Sequence, residues 1–195
     1  LSYTHPNPMG NTNDPRVPKI VKDALAIADN YINFSDYDTN KDGAISADEL
    51  IILAVVAGYE AAYSPLSSPS VWAHYSSLDW IGAPILDGKI LGSLTYGGGY
   101  AMAGELHWEA NGGSAHPMTI GVLAHEISHA LGLPDLYDTS QQTYGVGNWS
   151  LMSYGTWNKV GSNYEGSSPA LLDAWSKWYL GWIVPEPIQG EKQVF

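Results

Sequence analysis

The chain has 195 residues, of which 20 are acidic and 8 are basic, and its formal net charge is -12. Apolar residues make up 45% of it and charged residues only 14%, which excludes a disordered chain and fits one globular domain. The acidity argues against nucleic acids and anionic membranes as partners and leaves cations, while the absence of cysteine excludes disulfides, thiolate nucleophiles and Cys-type zinc sites.

The first predicted element is a helix that begins near Pro18, after an irregular lead-in over residues 1–15. Apolar residues recur there on one helical face, namely Val21, Leu25, Ala28 and Ile32. An acidic loop follows over 36–49. The continuous, β-branched stretch 50–57 then predicts a buried strand, with a buried helix as the alternative. The longest apolar run, at 50–58, is too short to span a membrane.

The second half of the chain contains further short strands and helices. An Asp-Gly pair between two apolar runs predicts a hairpin over 85–91. Residues 100–108 are predicted to be extended, and residues 117–131 are predicted to form a helix, because apolar side chains recur there at helical spacing. After an irregular stretch, a last helix is predicted with Ser168 as its N-cap, and it ends at Gly181.

A His-Glu-x-x-His motif lies at 125–129, within the predicted helix over 117–131. Its two histidines, His125 and His129, are one helical turn apart, so both imidazoles can bind one Zn²⁺ at about 2.0–2.1 Å. Glu126 lies on the adjoining face, where its carboxylate can accept a proton from a metal-bound water that attacks a carbonyl carbon. The alternative is a pair of helix histidines that only pack or form hydrogen bonds.

Asp135 lies six residues after His129, where a loop that leaves the helix at Gly132 can bring a third ligand to the metal. Two histidines, a carboxylate and one water form the open site that catalytic zinc requires, whereas structural zinc requires a fourth protein ligand. Two alternatives stay open: Asp135 caps a turn after Pro134, or Asp138 competes for the metal.

Residues 38–49 match the twelve-residue calcium-binding loop of an EF-hand. Gly43 occupies the position of the sharp turn and Ile45 the apolar position. The oxygen ligands come from six residues: Asp38, Asn40, Asp42, the Ala44 carbonyl, Ser46 through water, and bidentate Glu49. The alternative is an acidic, solvated turn. A single loop between a helix and a strand favours a structural staple for millimolar extracellular Ca²⁺ over a sensor, because sensors pair their loops.

The longer motif His-Glu-x-x-His-x-x-Gly-x-x-Asp at 125–135, followed by a Met-containing turn at 149–155, resembles the metzincin-type zinc proteases. By itself, this turn is also compatible with an aromatic core turn in which Met152 fills a gap. The chain is more similar still to the immune inhibitor A-type bacterial metalloproteases. The similar stretches run in consistent order from about residue 18 to 187 and include 50–60, 71–75, 121–138, 147–157 and 168–185.

The resemblance implies an α+β, zincin-like catalytic domain. Its parts would be a small mixed sheet, a backing helix, an active-site helix and a loop-rich lower part with a C-terminal helix. We therefore expect one domain over 1–195, with the calcium loop embedded at 38–49. Such domains usually begin with a strand that this short lead-in lacks, so either the upper sheet is incomplete or a preceding segment lies outside this chain. Residues 100–108 are the candidate upper rim, which would pair with substrate backbone as an added strand.

The resemblance also implies roles for six residues around one metal. His125, His129 and Asp135 would bind zinc, Glu126 would act as general base and acid, Met152 would form the apolar floor beneath the metal, and Tyr154 would stabilise the oxyanion. Three other histidines are expected to pack, cap or form hydrogen bonds, namely His74, His107 and His116.

We therefore expect a secreted bacterial zinc endopeptidase, a monomer that acts on proteins or peptides and binds catalytic Zn²⁺ and structural Ca²⁺. Because the chain begins at Leu1 without an initiator Met, we expect it to derive from a longer precursor. One alternative is a catalytically inactive, metal-bound extracellular binding or adhesion module of the same fold. Another is a plain calcium-binding module whose histidine motif is incidental. Retention of Glu126, which the fold alone does not require, favours the enzyme.

Overall fold

The computed structural model describes residues 16–63, 69–109, 113–140 and 142–186, so the predicted lead-in over 1–15 lies outside the described residues. The described part contains three α-helices and seven strands. They are α1 (Arg16–Ala28), β1 (Ile52–Glu60), β2 (Ser70–Val71), β3 (His74–Ser76), β4 (Ile85–Leu86), β5 (Lys89–Ile90), β6 (Tyr100–Trp108), β7 (Ala115–Pro117), α2 (Ile120–Ala130) and α3 (Ala174–Tyr179). None of these helices is long and apolar enough to cross a membrane.

Five strands form one mixed sheet in the order β2-β1-β6-β3, and β7 also pairs with β6. β1 runs parallel to β2 and β6, whereas β3 and β7 run antiparallel to β6. Of the predicted α+β fold, the combination of a few helices with a small mixed sheet is thus confirmed. β4 and β5 form the predicted hairpin, whose turn residues Asp87 and Gly88 both have the positive φ angles that this tight turn requires.

The prediction that residues 100–108 form a free rim for substrate is wrong, because β6 lies in the middle of the sheet. Tyr100–Gly104 pair with β1 on one side, and Tyr100–Met102 pair with β3 on the other. The first five residues of β6 are all buried, as expected of a strand that is covered on both faces. Among the described strands, the outer edge on this side of the sheet is formed by β3 along the first part of β6 and by β7 along its last part.

Helix α1 packs its apolar face on the sheet, as its periodicity predicts, but it ends earlier than expected. Val21 and Leu25 are buried in one cluster with Tyr100 and Met102 of β6. The helix stops at Ala28 because the following residues form a turn, and Ile32 is 38% exposed. α1 is therefore the helix that backs the sheet on the side of residues 38–49, the predicted calcium loop.

The other two helices also differ from their predicted bounds. α2 begins at Ile120 rather than 117, because residues 115–117 form β7. The last helix begins at Ala174, and Ser168 is not its N-cap. The cap is Asp173, whose carboxylate accepts a hydrogen bond from the Ser176 N–H at 3.0 Å. The backbone N–H of Ser168 donates instead to the Asn158 carbonyl, so this stretch is held as a loop.

The chain crosses the sheet between β2 and β3, which lie on opposite sides of the β1-β6 pair. We call the two connecting residues, Trp72 and Ala73, the crossover segment. Ala73 is buried in a cluster with Ala103 of β6 and Val122 of α2, so the segment lies between the sheet and the helix. This placement brings it next to the motif residues of α2.

His107 of β6 is fully buried beneath aromatic rings. It stacks on Tyr63 with ring centroids 3.9 Å apart and meets the edge of His116 at 5.4 Å. No described residue forms a hydrogen bond with either of its ring nitrogens. Burial, assisted by the neighbouring His116, lowers the pKa of His107 to about 4, so this ring is neutral in the native protein near neutral pH.

This burial predicts an acid-sensitive contribution to stability. The pKa of His107 is about 4 in the folded state against 6.5 for the free side chain. At pH values between these two, His107 is therefore mostly protonated in the unfolded chain and mostly neutral in the native protein. Stability from this residue is therefore complete above pH 6.5 and falls with decreasing pH, by at most about 1.4 kcal/mol per pH unit. Urea unfolding from pH 7 to 4 should show a shallower pH dependence in His107→Phe than in the wild type. Equal slopes in the two proteins would contradict the assignment.

Candidate metal centre

Helix α2 and the loop after it bring three predicted ligands together. The Nε2 atoms of His125 and His129 lie 3.1 Å apart. Oδ1 of Asp135 lies 3.0 Å from the first of these nitrogens and 3.3 Å from the second. Among the described residues, this is the one cluster of three or more His, Asp or Glu side chains whose ligand atoms lie within 4.8 Å of one another.

The hydrogen bonds of the two imidazoles determine which nitrogens face one another. Nδ1 of His125 is 2.8 Å from the Leu151 carbonyl, and Nδ1 of His129 is 2.7 Å from the Leu133 carbonyl. A carbonyl oxygen can only accept, so each Nδ1 must donate its hydrogen. In the neutral rings, both Nε2 atoms therefore present lone pairs, and they converge with an oxygen of Asp135.

Three converging lone pairs fit a metal cation, because a cation turns their mutual repulsion into attraction. In a tetrahedral site with ligands at about 2.0–2.1 Å, ligand atoms are separated by about 3.3 Å. The spacings of 3.0, 3.1 and 3.3 Å in this cluster are close to that value. Two nitrogens and one carboxylate oxygen are donors that zinc prefers, and three protein ligands leave one position for water or substrate.

The electrostatics of Asp135 agree with its place beside two imidazoles. Burial alone would raise the pKa of Asp135, but when His125 and His129 are protonated, their hydrogen bonds and charge outweigh it and hold the pKa well below its usual range. For His129, burial acts to lower the pKa, and the contacts with Asp135 and the Leu133 carbonyl raise it overall. The carboxylate is therefore ionised and available as a ligand at any pH at which the histidines are neutral.

The chain reverses after α2 in a way that returns Asp135 to the helix. Gly132 adopts a φ of +90°, a conformation that favours glycine and that ends the helix where the sequence predicts. The next residue, Leu133, donates its N–H to the Ser128 carbonyl while its own carbonyl holds His129. The Leu136 N–H then donates to the Met152 carbonyl at 2.7 Å, which fixes the loop on both sides of Asp135.

The Met-containing turn lies against the same helix. Met152 is fully buried and packs with Leu133, Leu151 and Leu172. Its neighbour Leu151 supplies the carbonyl that orients His125. The backbone of the turn thus contacts the three predicted ligand residues, His125, His129 and Asp135, which we call the metal cluster. The role of Met152 as an apolar floor remains a prediction, and its location is compatible with that role.

Glu126 faces a cavity of about 450 Å³ that also reaches His125. Its side chain is buried, and burial raises its pKa to about 7, an effect that the neighbouring His125 and His129 only partly oppose. The cavity walls are mainly apolar and aromatic. They include Ala62, Trp72, Ala73, Val122, Tyr137, Tyr154 and Trp157.

Tyr154 and Tyr137 lie side by side on the cavity wall, with ring centroids 6.4 Å apart. Tyr137 is the nearer to the metal cluster, because its ring stacks near His125 at 6.3 Å. Burial and the charge of Asp135 raise the pKa of Tyr137, so its hydroxyl keeps its proton. Tyr137 has no predicted role from the sequence, although it lies only two residues after a predicted ligand. The predicted oxyanion role of Tyr154 remains a prediction.

Glu60, at the end of β1, is a second buried carboxylate that the sequence analysis missed. It is fully buried, and burial raises its pKa to about 7 although three backbone N–H groups donate to it. A glutamate at the end of an apolar strand carries no local signal of such a position. Its burial depends on distant residues, including Ala73 and Gly104, that the fold brings against its side chain.

The carboxylate of Asp138, the other candidate for the third metal ligand, forms hydrogen bonds within its own turn. It accepts hydrogen bonds from the Ser140 and Thr143 N–H groups at 2.8 and 2.9 Å. The Ser140 hydroxyl, these two N–H groups and the Thr143 hydroxyl together lower the pKa of Asp138 to about 2. Of the two carboxylates that the sequence left open, Asp135 lies in the cluster and Asp138 does not.

The predicted calcium loop forms a tight turn whose side chains bind its own backbone. Asp38 accepts from the Asp42 and Gly43 N–H groups, and Glu49 accepts from the N–H groups of Thr39, Asn40 and Ser46. These bonds lower the pKa of Glu49 to about 2. The Lys89 ammonium lies 2.6 Å from the Asp38 carboxylate. Among the described residues, the loop carboxylates do not converge as closely as the side chains of His125, His129 and Asp135 do.

The same loop pairs with the hairpin strand β5. The Ile45 N–H donates to the Ile90 carbonyl at 2.9 Å, and the Ile90 N–H donates to the Gly43 carbonyl at 3.0 Å. Ile45 is buried in the cluster that also holds Phe34 and Met102. A hairpin thus provides the pairing that a second loop provides in paired EF-hands.

The chain is similar to a known family and to bacterial relatives. Residues 4–183 match the family described as "Immune inhibitor A peptidase M6, catalytic domain". The chain is 31% identical over 197 residues to Pre-pro-metalloprotease PrtV of Vibrio cholerae serotype O1 (strain M66-2), a match that covers 92% of this chain and 20% of that protein. It is 34% identical over 184 residues to Immune inhibitor A of Bacillus thuringiensis subsp. alesti, covering 85% of this chain and 25% of that protein. The chain therefore spans a fifth to a quarter of the length of these relatives, and no solved structure matches it.

The convergence of lone pairs predicts how metal affinity depends on the two aspartates. Asp135→Asn should weaken zinc binding by more than about a hundredfold, since even an altered partner of a ligand costs 10- to 100-fold. Asp138→Asn is the matched control and should bind zinc as the wild type does. Competition with a chromophoric chelator measures both affinities. Zinc loss in the Asp138 variant alone would contradict the assignment of the third ligand.

Proposed function

The chain belongs to the immune inhibitor A family of peptidase M6 catalytic domains, and from this premise we propose that it is a zinc-dependent endopeptidase. The observation that carries the proposal is the convergence of His125, His129 and Asp135 beside the buried carboxylate of Glu126. The cluster fits zinc by donor type and spacing, and the cavity of about 450 Å³ next to it offers room for a peptide side chain.

The chemistry that zinc supplies when bound at this cluster is Lewis acidity toward a water molecule and a peptide carbonyl. Glu126 is the general base and acid: its carboxylate takes the proton of the attacking water and later delivers it to the leaving nitrogen. Because Glu126 follows His125 directly on α2, the rigid helix fixes the carboxylate relative to the ligands. Its buried position excludes bulk water from competing for the proton.

Tyr154 is the proposed donor to the oxyanion, and Met152 is the proposed apolar floor of the metal site. Tyr154 lines the cavity together with His125 and Glu126 and is 37% exposed, so substrate can reach its hydroxyl. Tyr137, which lies closer to Asp135, is the more suitable residue to hold that ligand in place.

The proposed substrates are proteins or peptides, which bind across the face that contains the cavity of about 450 Å³ and a second cavity beside it. This second cavity, of about 320 Å³, is lined by His74 and Tyr75 of β3 and by the metal cluster with Glu126. β3 is the sheet edge closest to the chemistry and takes over the role of substrate rim that the sequence assigned to 100–108. We further propose that the protein acts as a monomer outside the cell, where millimolar Ca²⁺ fills a loop of low affinity.

We also propose that residues 38–49 bind one structural Ca²⁺. The support is the residue pattern together with the tight turn that Asp38 and Glu49 stabilise. Calcium would draw Asp38, Asn40, Asp42 and Glu49 inward, and Lys89 would compete with it for the Asp38 carboxylate. Because Ile45 and Ile90 tie the loop to the core, cation binding would stabilise α1 against the sheet.

Replacement of the proposed base separates metal binding from catalysis. Glu126→Gln should bind zinc as the wild type does but hydrolyse casein at least about a hundredfold more slowly, because proton transfer is lost. Glu105→Gln, an exposed position on β6, is the matched control and should keep full activity. Undiminished cleavage by zinc-loaded Glu126→Gln would refute the mechanism. A wild type that binds zinc without any cleavage would instead favour the inactive binding module.

The calcium proposal is tested by two neighbouring acidic residues. Glu49→Gln should lower the melting temperature in millimolar Ca²⁺ by about 3–6 °C, the effect of losing a ligand present at about ten times its Kd. Zinc content should not change. Asp48→Asn, an exposed position of the loop that offers no ligand, should melt as the wild type does. An identical calcium response in Glu49→Gln and wild type would overturn the proposal.

A further inference from the structure

Glu60 joins three separate parts of the chain through one buried carboxylate. Its Oε1 accepts hydrogen bonds from the N–H groups of Ala62 and Ala73, both at 2.9 Å. Its Oε2 accepts from the Gly104 N–H, also at 2.9 Å. The three donors belong to the turn after β1, to the crossover segment and to the middle of β6. No solvent reaches the side chain, so these bonds are not exchanged for bonds to water.

The hydrogen bond from the Ala73 N–H to Glu60 holds the crossover segment next to β3, at a point where backbone pairing between β3 and β6 is absent. The ladder between these two strands begins with the pair His74–Met102 and continues away from the crossover. Gly104 allows a close approach at this point, because a Cβ there would lie only 2.5 Å from the Tyr59 carbonyl carbon. The Glu60 carboxylate thus links the crossover segment to β6 through its bonds to the Ala73 and Gly104 N–H groups, in place of backbone pairing.

The crossover segment is also a wall of the proposed active site. Trp72 and Ala73 line both the cavity of about 450 Å³ and the one of about 320 Å³, together with His125 and Glu126. A second contact fixes the far end of the segment, since His74 Nδ1 donates to the Trp72 carbonyl at 2.7 Å. The width of the cleft between this wall and the metal cluster therefore depends on how firmly the segment is held.

We infer that Glu60 is a positioning residue, which fixes the crossover segment and thereby sets the cleft that binds the peptide chain. The inference rests on the proposed endopeptidase function. Glu60 forms no hydrogen bond with His125, His129 or Asp135, so its direct contacts act on the crossover segment and on the binding of extended substrate. In addition to burial, the charge of Glu60 contributes to the raised pKa of Glu126, an effect that a short and a long inhibitor share. An amide at this position would keep one acceptor oxygen, but it would direct an N–H₂ group at the Gly104 or Ala73 N–H and so lose at least one bond.

Two inhibitors of different length test this role on the zinc-loaded protein. Acetohydroxamate reaches only the metal, whereas a peptidyl hydroxamate also occupies the cleft. Calorimetry should show that Glu60→Gln weakens the binding of the peptidyl hydroxamate about tenfold more than that of acetohydroxamate, the effect of one lost buried hydrogen bond. In peptide hydrolysis, the loss should appear mainly in KM, and Glu60→Ala should show a larger loss than Glu60→Gln.

The matched control is Asp79→Asn. Asp79 also accepts several hydrogen bonds, from the Ser77 hydroxyl at 2.6 Å and the Thr95 N–H at 3.3 Å, but it lines neither cavity at the metal cluster. It should lose stability without a change in the ratio of the two inhibitor affinities. An unchanged ratio in Glu60→Gln, or an equal change in Asp79→Asn, would overturn the inference.

A measurement on the wild type decides the question if the Glu60 variants do not fold. The peptidyl hydroxamate should slow hydrogen exchange at the Ala73 and Gly104 amides more than acetohydroxamate does, and equal protection by the two would contradict the role of Glu60. A zinc-loaded wild type that binds neither hydroxamate would refute the proposed function, and with it this inference. Binding of both, without the expected ratio in Glu60→Gln, would refute the inference alone.

Discussion

Three lone pairs meet in a partly buried space at the centre of the site, and the surrounding helix and loops hold them there. His125, His129 and Asp135 present acceptor atoms 3.0–3.3 Å apart, and the backbone bonds of both imidazoles leave no proton between the rings. Such an arrangement is unfavourable without a cation, because acceptors at this distance repel one another. The fold holds it through the helix α2 and through two loops whose carbonyl groups orient the rings.

The two loops differ in what they connect to the metal cluster. Leu133 belongs to the reversal that also delivers Asp135, whereas Leu151 belongs to the turn that carries Met152. This turn is linked to α3, because the Ser150 hydroxyl donates to Asp173, the residue that caps that helix. The orientation of one imidazole therefore depends on a hydrogen-bond chain that ends at the last described helix.

Much of the site could be predicted from the sequence because its signals are local. The spacing of His125 and His129 depends only on helical geometry, and Gly132 marks the end of the helix by its φ angle. The position of β6 could not be predicted, because central and edge strands have similar apolar patterns and differ only in distant partners. The same holds for Glu60, whose three donors come from residues that are brought together by the fold alone.

The described chain between α2 and α3 contains no further α-helix or strand, and it is held by turns, short 3-10 segments and individual hydrogen bonds. Segments of this kind open more easily than sheets, since few contacts must break at once. A cation on Asp135 and the two histidines would tie this loop-rich half to α2 at a single point. Loss of the metal would therefore loosen about a quarter of the domain, and the demetallated protein would itself become a good substrate for proteolysis.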